Sequence, residues 1–295
     1  MRRYTFFNTT CGLFIVLALV GTAYFSRGYI KTWVNEKQNA DIPVAISRVE
    51  IEKRLQTSTP QIQVSATSSN KTIKTLVTST KSISSSTAPV PNVSATSSVP
   101  LPPQIEIPDS LNLDVPFVPQ APEKNWEQPW QDACEEAAVL MMDAYAQDKT
   151  VSLDVAKQNI LSMVKWEENL GWGLSIELEK IQKIFTEYLT GYTSGKLKIV
   201  ENPTVDQLKK FIANGQPVYV VASGKLLSNP HFQNGGPEYH TLVIRGYTKD
   251  SFITNDPGTQ FGQNFKYKYN VLMNAIHDWN GGDVLNGRRV VMVIE

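Results

Sequence analysis

The chain runs to 295 residues and carries 28 Lys and Arg against 28 Asp and Glu, so its formal net charge is zero. No basic stripe marks a nucleic-acid surface, and no CxxC pair, HExxH helix or phosphate-binding glycine loop marks a metal or nucleotide site. No cofactor, metal or nucleic-acid partner is expected.

The first element is apolar. After Met1-Arg2-Arg3 no charged residue occurs until Arg27, and residues 12–25 form an apolar core. About twenty uncharged residues are enough to cross a bilayer. Gly21-Thr22-Ala23 is a poor small-residue cleavage site, so an uncleaved anchor is favoured over a signal peptide for residues 1–30. Arg2 and Arg3 favour an inside N-terminus, nearly balanced by Arg27 and Lys31. The expectation is a single-pass protein of the cell membrane with its folded part outside the cytoplasm. Residues 31–110 read as a juxtamembrane segment and a linker. Within them, 44–55 mix charged and apolar side chains and suit a short helix or strand. Ser, Thr, Val and Pro dominate 57–108, which cannot bury a core and reads as a disordered tether.

Residues 111–295 are the globular part, enough for one core and one domain. The stretch Gln131-Asp132-Ala133-Cys134-Glu135-Glu136 opens a helix. Asp132 suits the N-cap, Glu135 three residues later completes a capping box, and Cys134 falls in the first turn. Helical spacing of apolar residues recurs over 152–167 and 175–188, the latter with Ile176, Leu178, Ile181, Ile184 and Phe185. A short helix over 204–213 and a buried strand over 217–222, begun by Asn214-Gly215, come next. The loop 224–239 runs into His240, 241–247 reads as a strand, 248–250 as a turn, and 251–256 as the returning strand closed by Pro257-Gly258. A helix over 271–279 follows. Helices first and strands later imply an α+β domain of two packed layers with a groove between them.

Cys134 has no evident disulfide partner, since Cys11 lies in the apolar N-terminal run. In a first helical turn, unpaired N–H groups and the macrodipole favour thiolate over thiol, which is how a nucleophilic cysteine is activated. Glu135 and Glu136 oppose this, because neighbouring carboxylates raise a thiol pKa. The hairpin brings His240 near Asp256, within cross-strand reach of an imidazole-carboxylate hydrogen bond. Such a bond fixes the tautomer and leaves the other ring nitrogen to take the thiol proton. His231 in its Pro- and Gly-rich loop and His277 in the last helix have no carboxylate-bearing hairpin beside them. A zinc set of His231, Glu238 and His240 has no regular element to fix its spacing.

Val115-Pro116-Phe117-Val118-Pro119-Gln120-Ala121-Pro122, Asp132-Ala133-Cys134-Glu135-Glu136-Ala137-Ala138, the run from Gly236 through His240 to Tyr247, and Asn255-Asp256-Pro257-Gly258 together resemble the C39-like peptidase family. That family is related to the bacteriocin-processing, double-glycine peptidases. The resemblance spans residues 111–295 and implies a papain-like fold in which a helical layer carries Cys134 against an antiparallel sheet carrying His240 and Asp256. It implies Cys134 as nucleophile, His240 as base, Asp256 as the residue that orients it, and a glutamine amide that shares the oxyanion with the Cys134 N–H. Gln120 matches the family position and ranks first, with Gln131 second. The Cys-Gly of the bacteriocin-processing branch is here Cys-Glu-Glu, closer to the broader C39-like group. The leading expectation is a membrane-tethered, monomeric cysteine peptidase acting on peptides or proteins. The alternative is a catalytically inactive papain-like module that binds peptide or cell-envelope material.

Overall fold

The computed structural model describes residues 39–57 and 107–295. The expected anchor, Cys11 and most of the Ser/Thr/Pro-rich linker lie outside the described residues. Among the described residues no helix is long and apolar enough to cross a membrane.

The elements in chain order are α1 (Arg48–Thr57), β1 (Leu111–Asn112), α2 (Cys134–Ala146), α3 (Leu153–Asn169), α4 (Leu178–Lys183), β2 (Leu197–Glu201), α5 (Val205–Ala213), β3 (Val218–Ala222), α6 (Gly224–Leu227), β4 (His240–Tyr247), β5 (Ser251–Asn255), β6 (Phe265–Lys268), α7 (Tyr269–Ala275) and β7 (Val290–Ile294). The strands form an antiparallel sheet in the order β2-β7-β3-β4-β5-β6, with β1 added against the far end of β4. Every residue of β3, β4 and β5 is buried, so the middle of the sheet is covered on both faces. The unbroken apolar runs Val218–Ala222 and Leu242–Ile244 have that cause. Helix α2 packs against β3 and β4 and is buried over almost its whole circumference, which makes it a core helix. The result is the α+β fold expected, with the thiol on the helical layer and the His-Asp hairpin on the sheet.

Several boundaries differ from the sequence reading. The helix expected over 175–188 starts at Leu178 and widens into a π-type turn over Ile184–Tyr188. The last helix ends at Ala275, because Ile276 leaves it with an extended backbone to bridge Ala222, and His277 therefore lies outside it. Ser152 caps α3, accepting from the Val155 N–H, and a full capping box of Thr204 and Gln207 starts α5.

The hairpin of β4 and β5 is irregular at Arg245. Near the turn Tyr247 faces Phe252 and Gly246 faces Ile253, whereas beyond Arg245 the pairs are Ile244 with Thr254 and Val243 with Asn255. One extra residue in β4 therefore shifts the register. Continued without it, Asp256 would stand across from Val243 and project from the face opposite to His240. With it, Asp256 falls across from Leu242 and shares a face with His240, which stands across from Gly258. The bulge also turns the Arg245 side chain inward, where Nε donates to Asn112 Oδ1 and to the Leu113 carbonyl, both at 2.9 Å, and Nη1 donates to Asn255 Oδ1 at 3.3 Å. Gly246 lets β1 approach, since a Cβ there would come within 2.4 Å of the Leu111 carbonyl oxygen.

Residues 39–57 are part of the folded domain. Ile46 forms a parallel bridge with Leu113, and the Arg48 guanidinium reaches the Ala146 carbonyl at the C-terminal end of α2, where a cation is favoured. Ile51 is 3% exposed and seats against Gly215, whose left-handed φ of 76° and lack of a Cβ make room for it. Ile51→Ala should lower unfolding stability by about 2–4 kcal/mol, the usual cost of truncating a buried isoleucine. Denaturant titration of the full chain checks this, and an unchanged midpoint would mean that the segment adds nothing to the domain.

Candidate active site

Cys134 is the first residue of α2 and is 4% exposed. The expected capping box does not form. A 3-10 turn over Trp130–Asp132 runs into the helix, the N-cap is Ala133 without a side-chain bond, and the Asp132 carboxylate accepts from Gln128 Nε2 at 2.5 Å. Glu135 is therefore not held at the cap, and the Cys134 thiol donates to Glu135 Oε2 at 2.9 Å. Burial pushes the Cys134 thiol well above its ordinary pKa, the Glu135 charge and hydrogen bond add to that, and Thr241 acts in the opposite direction.

Glu135, Glu136 and Glu167 form a buried cluster behind the thiol, exposed by only 2%, 4% and 6%. Burial pushes Glu135 up to about 8, helped by the charge of Glu167. Glu167 is pushed up to about 7 by burial, and Glu136 well above the carboxylate range by burial and by both neighbours. Three buried carboxyls cannot all ionise side by side, so the cluster retains protons near neutrality.

His240 and Asp256 sit as the hairpin register requires. His240 Nε2 donates to Asp256 Oδ1 at 2.7 Å, with both side chains buried. Because Nε2 faces the carboxylate, Nδ1 is the ring nitrogen left to accept a proton. Asp256 is itself fixed: Oδ1 accepts from the Gly258 N–H at 3.0 Å, and Oδ2 accepts from Asn229 Nδ2 at 3.0 Å and Tyr267 Oη at 2.5 Å. Burial alone would raise its pKa, but the His240 charge and these bonds hold it below its ordinary 3.8. It therefore stays anionic beside the imidazole. The edge of the His240 ring meets Phe232, with centroids 5.1 Å apart.

Asn229, Tyr267 and Phe232 were not among the residues singled out from the sequence. Asn229 and Phe232 come from the loop between α6 and β4 and Tyr267 from β6, and only the Asn-rich character of that loop hinted at them. Of the other histidines, His231 stacks on Phe261 and His277 bonds the Ala275 carbonyl. Glu238 pairs with Lys225, and among the described residues His231, Glu238 and His240 do not gather into a group that could hold a metal ion.

Both candidate glutamines reach the site. Gln120 is buried and its Nε2 donates to the Trp130 and Gln131 carbonyls, each at 2.9 Å, which engages both amide hydrogens and braces the turn before Cys134. Gln131 is exposed and lines the cleft. The cleft encloses about 470 Å³ and is lined by Cys134, His240 and both glutamines. Trp126, Phe232, Tyr239 and Phe261 give it aromatic walls.

A thiol at a helix N-terminus, opening on one cleft with a sheet-borne His-Asp pair, defines the papain-like cysteine peptidase class. Within that class the chain belongs to the Peptidase C39 like family, whose profile matches residues 112–281. Family membership points to a cysteine peptidase. Among solved structures, a Bacillus anthracis protein described as a C39-like peptidase is 16% identical, with 64% of this chain and 98% of that one covered at a TM-score of 0.42. Comparison with curated proteins returns no match.

Gly258 stands against the imidazole, and a Cβ there would come 2.7 Å from His240 Cε1 and 2.9 Å from Phe232 Cε1. Gly258→Ala should therefore push the ring off Asp256 and lower kcat about a hundredfold, the scale expected for a misplaced catalytic group. A kcat near that of the parent chain, measured on a cleaved peptide, would contradict the packing account.

Proposed function

We propose that the protein hydrolyses peptide bonds by a Cys-His-Asp mechanism. The observation that carries this reading is the buried His240-Asp256 bond, held on a face that opens into the same cleft as Cys134. His240 Nδ1 takes the thiol proton, and Cys134 Sγ attacks the peptide carbonyl to form a tetrahedral intermediate. The intermediate collapses to a thioester as His240 returns the proton to the leaving amine, and water then releases the acid with His240 as base. Asp256 keeps the ring in the useful tautomer and stabilises its charged form. The oxyanion falls to the Cys134 N–H, which has no intrahelical acceptor, and to the amide of Gln120 or Gln131. Gln131 has uncommitted amide hydrogens, whereas Gln120 must release one of its two carbonyls. The aromatic walls suit substrates with apolar side chains near the scissile bond. We further propose that the apolar run at 12–25 holds the enzyme in the membrane with its domain outside the cytoplasm, a reading supported by sequence alone.

The second reading, a peptide-binding module without turnover, draws on the bond between Cys134 and Glu135, which keeps the proton on sulfur. Incubating the full chain with a peptide library and sequencing the products separates the two. Cleavage that disappears in Cys134→Ser and His240→Ala supports the peptidase, and binding without cleavage supports the module. On a cleaved peptide, Asp256→Asn should lower kcat about 10²- to 10⁴-fold, the usual worth of positioned proton transfer. KM should change little, because Asp256 does not line the cleft.

A further inference from the structure

The acidic pair after the nucleophile is buried beside the thiol, an unusual place for two glutamates. Cys134 Sγ lies 2.9 Å from Glu135 Oε2. Glu135 Oε1, Glu136 Oε2 and Glu167 Oε1 are buried without hydrogen-bond partners. The groups that face Glu135 are Cys134 and Glu136 on its own helix, Glu167 on α3, and Tyr219 on β3 and Tyr239 before β4, both of which respond to its charge. Tyr239 is faced in turn by Asp278, and His240 opens on the same cleft. The leading influences on the three carboxyls are burial and one another, with no cation among them.

From this geometry we propose that Glu135 in its protonated form donates a hydrogen bond to the Cys134 thiolate, so that the cluster of Glu135, Glu136 and Glu167 stabilises the nucleophile instead of opposing it. The proposal rests on the peptidase reading above. In the active state the thiol proton has passed to His240, sulfur is anionic, and the Glu135 O–H points at it. Loss of one proton from this state reverses the bond. The Glu135 carboxylate then accepts from the Cys134 thiol, His240 is neutral, and the sulfur is no longer nucleophilic. Crowding by Glu136 and Glu167 keeps Glu135 protonated through neutrality, and Glu135 pushed up to about 8 agrees with that. The sign of the pH dependence follows: an ordinary thiol gains reactivity as pH rises, whereas this one loses it as Glu135 ionises.

The test is the rate of Cys134 alkylation by iodoacetamide across pH in the full chain, read at Cys134 by peptide mass mapping. Wild type should lose about tenfold between about pH 7 and about pH 9, the factor that ionisation of one coupled group gives. Glu135→Gln keeps a donor of the same shape that never ionises, and its rate should not fall. Glu167→Gln, which relieves the crowding, should move the fall to lower pH. A wild-type rate that climbs steadily through this range, or a fall that persists in Glu135→Gln, would overturn the proposal. His240→Ala reports separately on the underlying reading. If the rate near pH 6 is unchanged in that variant, the Cys-His pair is absent, whatever Glu135 does.

Discussion

The site depends on one extra residue in a strand. Asp256 and His240 share a face of the sheet only because Arg245 is accommodated as a bulge between Ile244 and Gly246. A strand alternates its side chains with a period of two, so a single-residue slip is a complete reversal of facing. The bulge is held in place by what it turns inward. Arg245 is 2% exposed, and its guanidinium ties β1 and β5 to β4 through Asn112, the Leu113 carbonyl and Asn255. Asn255 also donates to the Val115 and Pro116 carbonyls, so the segment leading to Gln120 is laid down by the same residues that set the hairpin register. The structural arginine and the His240-Asp256 pair are two ends of one arrangement.

Electrostatically the site is divided. On the sheet side Asp256 is surrounded by donors, with Asn229, Tyr267, the Gly258 N–H and His240 all directed at its two oxygens. It stays charged in spite of full burial, as a carboxylate that accepts several hydrogen bonds does. On the helix side Glu135, Glu136 and Glu167 have orphaned oxygens, and burial with mutual crowding keeps protons in the cluster near neutrality. In the mechanism proposed above the proton passes from sulfur to imidazole across the cleft between the two, with the anionic carboxyl on the sheet side and the crowded carboxyls on the helix side.

Much of this was legible in the sequence because it is local. Cys134 at a helix start, the strands on either side of 248–250, and the apolar spacing of α3 and α4 all follow from short-range patterns. The His240-Asp256 pairing was legible as well, though only as cross-strand proximity. Its register was not, since nothing in Ile244-Arg245-Gly246 announces a bulge until Arg245 is seen to find acceptors on β1 and β5. The capping box failed because Ser, Thr, Asp or Asn at a candidate cap competes with other partners, and here Asp132 was taken by Gln128 in a preceding 3-10 turn. The docking of residues 39–57 and the convergence of Glu167 on Glu135 join segments far apart in sequence. They depend on tertiary contacts that no periodicity reports.

The central claim is that Cys134 attacks a carbonyl with His240 taking its proton. Mixing the full chain with an activated ester of a short apolar peptide, quenching in acid and mapping the adduct by mass spectrometry tests this directly. A thioester on Cys134 that forms in the parent chain and is missing at the same times in His240→Ala is the predicted result. Equal acylation of both proteins, or none on Cys134, would contradict it.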